Sequence, residues 1–348
     1  MNTTTREKTQ EEHREELIAR AAVHVRAIIT QAIELAESEE ALVIYDTQNG
    51  LTNILTAAYR AALPKATFLD FDTMSKEETI LAIDRMKERD LVVLIQSSNF
   101  RLDDFRIRLH LFKQKFKVIE HNHLYRNSEA VWDVYIEALA YDPDWYRGLG
   151  RRLQSKLTST QELKIEALGA TLTVTGGLES PKPNLGDYAG MENIGGTFPI
   201  GEVFTESLDF SKMSGSFYVY AFAGSDFSIN MHEPFRVDVE EGVVVSWGDN
   251  APKNFAAIVE EIRMSERPVI REIGFGLNRA ITKERYLEDI TAFERILGMH
   301  LSMGEKHSVY KKEGITTHKA RYHVDLFPVV EQATADGTVI FKDRTYLV

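Results

Sequence analysis

Ala41-Leu-Val-Ile-Tyr-Asp46 is a short apolar run that ends in an acid and is followed at once by Thr47-Gln-Asn-Gly50. A buried strand closed by turn residues reads this way. Downstream the pattern recurs. Leu51–Ala61 reads as helix, Ala66–Phe71 as strand, Ser75–Arg89 as helix, Leu91-Val-Val-Leu-Ile95 as strand, Leu102–Phe112 as helix and Lys117-Val-Ile119 as strand. Apolar strands alternating with helices imply a parallel sheet covered on both faces, so an α/β N-terminal domain is expected. Upstream, residues 7–38 read as one helix whose Leu17, Ala21, Val25, Ile28, Ile29, Ala32 and Leu35 form an apolar stripe. Its Glu-rich first turns suit the positive end of a helix dipole. Ser75-x-x-Glu78 has the spacing of a capping box. No G-x-G-x-x-G follows the first strand, so no dinucleotide is expected.

Residues 127–158 form a Tyr/Trp-rich helical connector (Trp132, Tyr135, Tyr141, Trp145, Tyr146) that reads as core or interface. Leu157-Thr-Ser-Thr160 marks a change of texture, giving an α/β layer domain over 1–157 and a β-rich, metal-binding catalytic domain over 158–348. In the latter, Ala170–Thr175, Ser216–Ala223, Phe235–Val239 and Gly242–Trp247 read as strands, and Glu240-Glu241-Gly242 as a hairpin turn. Gly and Pro are dense from Gly176 to Gly201, and helices are expected at Lys253–Met264 and Glu284–Leu297. The fold class is therefore an α/β domain with a parallel sheet followed by a mainly β (α+β) domain.

With 348 residues the chain has room for two domains, each with a core. A formal charge of −12 argues against nucleic acid or an anionic membrane surface and favours a cation or a small molecule. The absence of cysteine excludes disulfides, thiolate sites and iron–sulfur clusters. A metal would have to be held by His, Asp and Glu, which suits zinc, manganese, iron(II), cobalt or magnesium. The first residues lack the apolar core of a signal peptide and no run is long enough to span a bilayer, so a cytoplasmic protein is expected.

Four segments carry candidate chemistry. Read as a strand, Tyr322-His323-Val324-Asp325-Leu326 puts the His323 imidazole and the Asp325 carboxylate on one face, where they can grip an ion. Glu202 sits in Gly201-Glu-Val-Phe-Thr205 behind a Gly/Pro loop, Glu272 interrupts the buried-looking strand and Gly bend of Val269–Asn278, and His300 follows Glu294-Arg-Ile-Leu-Gly-Met. Burying so many acids without a cation is costly, and a divalent ion removes that cost. His121-x-His123, after a strand, and His110 read as a loop pair or an interdomain contact rather than metal ligands, since no matching carboxylate is nearby in sequence. Ser97, Ser98 and Asn99 either touch a ligand or cap the next helix.

The order G-E-V-F-T, E-x-G-x-G-x-N, E-x-x-x-G-x-H-x-x-x-G and H-x-D resembles the thermophilic metallo-aminopeptidases of the aminopeptidase T/S type, over the last third to half of the chain. The resemblance implies one or two divalent ions (zinc, cobalt or manganese) held by Glu202, Glu272, His300, His323 and Asp325. Glu294 is a further candidate, at a spacing to its histidine one residue shorter than usual. Where the family places a tyrosine seven residues after that histidine, this chain has His307, with Tyr310 close by. The implied reaction is attack of metal-activated water on a peptide or small amide bond. Glu294 and His307 are the candidates for moving the proton, Tyr310 or Arg271 for stabilising the oxyanion, and His318 for orienting a ligand. The substrate would be a peptide or small molecule, and the family implies a homodimer. The chain is also similar to 2,5-dihydroxypyridine dioxygenases around Ile273-Gly-Phe-Gly-Leu277 and His323-x-Asp325, which implies iron(II) and ring cleavage as the alternative. Glu272, where those enzymes have histidine, and Glu202, which they lack, favour the hydrolase. A specialised-metabolism metalloenzyme on this fold and a non-enzymatic binding protein with ion-paired acids stay open beside them.

Overall fold

A computed structural model describes residues 9–102, 105–304, 310 and 323–348. Two compact units are formed, residues 1–143 with 186–200 and residues 144–185 with 201–348. Both are discontinuous in sequence.

In the first unit five parallel strands run in the order Ile194–Thr197, Lys117–His121, Leu91–Ile95, Ala41–Tyr45, Thr67–Asp70. The apolar runs picked out from sequence are the central strands, and they are buried on both faces as their composition requires. Leu42, Ile44, Val92, Leu94 and Val118 pack with Ile83, Ile107 and Leu111 from the helices on one side. Alternation sends Val43, Val93 and Ile119 to the other, where they are equally covered. The Lys76–Asp84 helix starts on the expected capping box: Glu78 N donates to Ser75 Oγ at 3.2 Å and Ser75 N to Glu78 Oε2 at 2.8 Å. The first helix is shorter than expected, spanning Gln10–Ala27 before it loosens into a π-turn at Ile28–Ala32. The helix expected from Leu102 begins only at Ile107, because Arg101–Leu102 and Phe105–Arg106 pair as a short ladder. The Gly/Pro-dense stretch supplies a strand to each sheet, Lys182–Asn184 and Ile194–Thr197.

The second unit is a curled, mostly antiparallel sheet whose path includes Ala170–Thr175, Met213–Ala223, His323–Pro328, Gly298–Gly304, Ile270–Gly276, Glu202–Thr205 and Lys182–Asn184 in that order. Glu241 and Gly242, both at positive φ (48° and 76°), make the tight turn between Ile229–Glu240 and Val243–Trp247. The expected helix over Glu284–Leu297 shrinks to Ile290–Phe293. Asp289 bridges to Ser228 and Ile296 to Asn278, so the two ends are pulled onto neighbouring segments of chain and the helical ladder cannot extend. No helix among the described residues is long and apolar enough to cross a membrane.

His121 belongs to the core of the first unit. Tyr135 Oη donates to Phe198 O at 3.2 Å, so at 3.1 Å it accepts from His121 Nδ1, while Tyr59 Oη donates to Nε2 at 2.8 Å. This fixes one neutral tautomer. Burial drives its pKa down to about 3. The unfolded chain therefore takes up a proton below the ordinary histidine value while the folded chain does not, and stability falls as pH drops from about 6.5 towards 3. Between pH 7 and pH 5 the native chain is expected to lose about 2 kcal/mol more than His121→Gln. Urea unfolding of both at the two pH values measures the difference.

Candidate metal centre

Strand register decides which side chains meet. Glu202 stands opposite Gly276, Gly274 opposite His300, Glu272 opposite Ser302, Ser302 opposite Asp325, and Gly304 opposite His323. Cross-strand partners share a face of the sheet. Four neighbouring strands therefore direct Glu202, Glu272, His300, Asp325 and His323 to the same side, although they are far apart in sequence.

The glycines of E-x-G-x-G have separate tasks. A Cβ on Gly274 would lie 2.0 Å from His300 Cε1, so the bare backbone is the seat on which the imidazole rests. A Cβ on Gly276 would lie 2.0 Å from Ile296 O and 2.8 Å from Arg295 C, so this second gap admits the chain that follows Glu294. Asn278 N closes the arrangement with a 2.9 Å hydrogen bond to Arg295 O.

His300 Nε2 lies 3.2 Å from Glu272 Oε1 and 3.3 Å from Glu202 Oε1. Ser302 Oγ donates to Asp325 Oδ1 at 2.5 Å, and His323 Nε2 lies 3.0 Å from the same oxygen. Arg295 Nη1 donates to Glu202 Oε2 and lies 2.8 Å from Glu294 Oε1. Two sets of ligand atoms come within 4.8 Å of one another, Glu202 with Glu272 and His300, and Glu294 with His300 and Asp325. His300 is common to both. Glu202 Oε1 and His300 Nδ1 are buried without a hydrogen bond among the described residues. Such an orphaned carboxylate oxygen, in a set of only oxygen and nitrogen donors, fits a divalent cation. Glu294, His323 and Asp325 also line a cavity of about 360 Å³ whose walls include Phe227, Ile258 and Ile290.

The electrostatics carry the mark of acids crowded out of water. Burial pushes Glu294 up to about 8, against the pull of Arg295, and raises Glu202 as well. Burial opposes charge on His300 too, but its bond to Glu272 and the fields of Glu202 and Asp325 win, lifting it to about 9. His323 is likewise lifted well above the usual histidine value, burial being outweighed by Asp325. Burial would raise Asp325, yet the charge and hydrogen bond of His323 hold it well below the usual carboxylate range. Without metal, two imidazolium groups thus supply the positive charge that a divalent ion would bring.

Of the other residues singled out from sequence, Tyr310 directs its hydroxyl to Ser180 O at 2.8 Å and packs its ring edge-on to Phe204. Arg271 is paired with Glu266 at 2.8 Å. His307 and His318 lie outside the described residues. Ser97 donates through both N and Oγ, at 2.6 Å, to buried Asp46 in the first unit. Sequence reasoning missed Arg295 and Ser302. Ser302 was within reach, since a period of two from His300 puts it on the same strand face.

No protein-family model matches the chain, and no curated protein does either. Solved structures do. The 2,5-dihydroxypyridine dioxygenase of Pseudomonas putida KT2440 superposes with a TM-score of 0.63 at 14% identity, over 95% of this chain and 97% of that one. Wild-type AmpT from Thermus thermophilus superposes with a TM-score of 0.58 at 12% identity, over 95% and 99%. The fold is one that enzymes use. At such identities the likeness shows the fold alone, and the chemistry has to be argued from the side chains.

Because metal ligands must be deprotonated, an ion bound at pH 7 is expected to release between about one and three protons, as the imidazoles and, where it is a ligand, Glu294 lose theirs. Titration calorimetry with Zn²⁺ in two buffers of different ionisation enthalpy counts them; a value near zero would contradict the pairing described. Gly274→Ala is expected to unseat His300, weakening Zn²⁺ binding at least about 10-fold and costing about 1–3 kcal/mol of metal-free stability through overpacking. Calorimetry and urea unfolding of that variant test both.

Proposed function

We propose that this chain is a metal-dependent hydrolase that cleaves a peptide or small amide bond in the manner of an aminopeptidase. The observation that carries this reading is the excess of acids: Glu202, Glu272, Glu294 and Asp325 gather around the fully buried imidazole of His300. Iron(II) oxygenases characteristically present two histidines and one carboxylate, whereas a carboxylate-rich set suits an ion used as a Lewis acid. Zinc, cobalt or manganese held here would lower the pKa of a bound water and polarise a carbonyl oxygen.

The rest of the reaction falls to the protein. Glu294, at the cavity edge and held above the usual carboxylate range by burial, is suited to accept a proton from water and return it to the leaving amine around neutral pH. Ser302 holds Asp325 in place, and Gly274 holds His300. The apolar wall of Phe227, Ile258 and Ile290 suits a hydrophobic side chain, and the surplus of acid suits a free α-ammonium group.

The zinc-, cobalt- or manganese-loaded protein is expected to release ammonia from leucine amide under anaerobic conditions and to stop when the ion is chelated. Glu294→Gln is expected to lower kcat by about 10²–10⁴-fold with a smaller change in KM. Oxygen uptake by the iron(II)-loaded protein on 2,5-dihydroxypyridine, with no amide turnover under any metal, would replace the hydrolase with the dioxygenase reading.

A further inference from the structure

Arg295 is a permanent cation in a place built for cations. Only 11% of its side chain is exposed, and Nη1 reaches Glu202 Oε2 on one side and Glu294 Oε1 on the other. These acids come one from each of the two candidate donor sets that share His300. Glu202 meanwhile gives its second oxygen, Oε1, to the neighbourhood of His300 Nε2, 3.3 Å away. A carboxylate that turns one oxygen to each of two positive partners is the arrangement that bridges paired metal ions. Here one of the partners is a guanidinium.

The placement is enforced by the backbone. Gly276, in register with Glu202, leaves the gap into which residues 295 and 296 settle, and Asn278 N anchors Arg295 O. The side chain therefore leaves the chain beside the acid it binds and has little freedom to swing away. An arginine cannot be deprotonated to make room for an ion, as a histidine or lysine can.

We infer that Arg295 takes the place of a second metal ion, so that this chain binds one divalent cation where its donor residues would otherwise hold two. This rests on the metal-dependent reading above. With Arg295 engaged, an ion that draws on one donor set leaves the guanidinium paired with the acid of the other, and a second dication would meet a fixed positive charge. Metal uptake is then a single event, saturating at one ion per chain, and chelation removes that ion in one phase.

The experiment is a metal count on the full-length chain, stripped with chelator and then titrated with Zn²⁺ alone, read by native mass spectrometry and elemental analysis. The native chain is expected to stop at one ion, Arg295→Lys also at one, and Arg295→Met at two, with second-site affinity gained by at least 100-fold. If Arg295→Met fails to fold, Arg295→Gln keeps a polar side chain of smaller size and is expected to give the same count of two. Two ions in the native chain, or one in a folded Arg295→Met or Arg295→Gln chain, would overturn the inference and leave the metal-dependent reading standing. No ion in the native chain at millimolar Zn²⁺ would overturn both.

Discussion

Four carboxyl groups can be buried beside one another only if positive charge stands among them or some keep their protons, as Glu294 does up to about pH 8. Two unit charges of like sign 4 Å apart repel by about 4 kcal/mol even at an effective dielectric of 20, and each acid also gives up its hydration. The second unit meets this constraint with Arg295 at one end of the cluster and two imidazoles along it. Almost every other feature of the region serves to hold those groups in place. The strand register brings residues distant in sequence to one face, two glycines admit a ring and a segment of chain, and Ser302 restrains Asp325.

The two units treat histidine in opposite ways. In the first, His121 is surrounded by tyrosine hydroxyls and stays neutral, since nothing nearby repays the burial of a charge. In the second, His300 is no less buried but faces acids and holds its proton past neutrality. The difference lies in the partners alone. It separates an imidazole that serves packing from one that can exchange its proton for a metal.

Much of this architecture was legible in the sequence because it rests on local rules. The runs read as strands at 41–46, 91–95 and 117–119 are strands for the reason their composition suggests, the last extending to His121, and the Ser75–Glu78 box and the Glu241–Gly242 turn follow from side-chain and backbone chemistry within a few residues. The candidate acids were visible as charges in apolar settings. What stayed hidden depends on partners far along the chain. The helix expected over 284–297 is undone by bridges to Ser228 and Asn278. Arg295 looks like an ordinary helix cation until the register sets it against Glu202, 93 residues away. The two glycines after Glu272 suggested a bend, but the bulk each one spares belongs to the segment at 295–300, which no spacing rule brings alongside.

Arg295 also bears on the order in which the molecule is assembled. Many small zinc domains cannot fold until their ion arrives, because nothing else gathers their ligands. Here a covalently attached charge and two imidazoles already stand among the acids, so the cradle needs no ion to draw its walls together. An ion taken up here would come last, as a lodger in a finished room, and its departure would leave the walls standing.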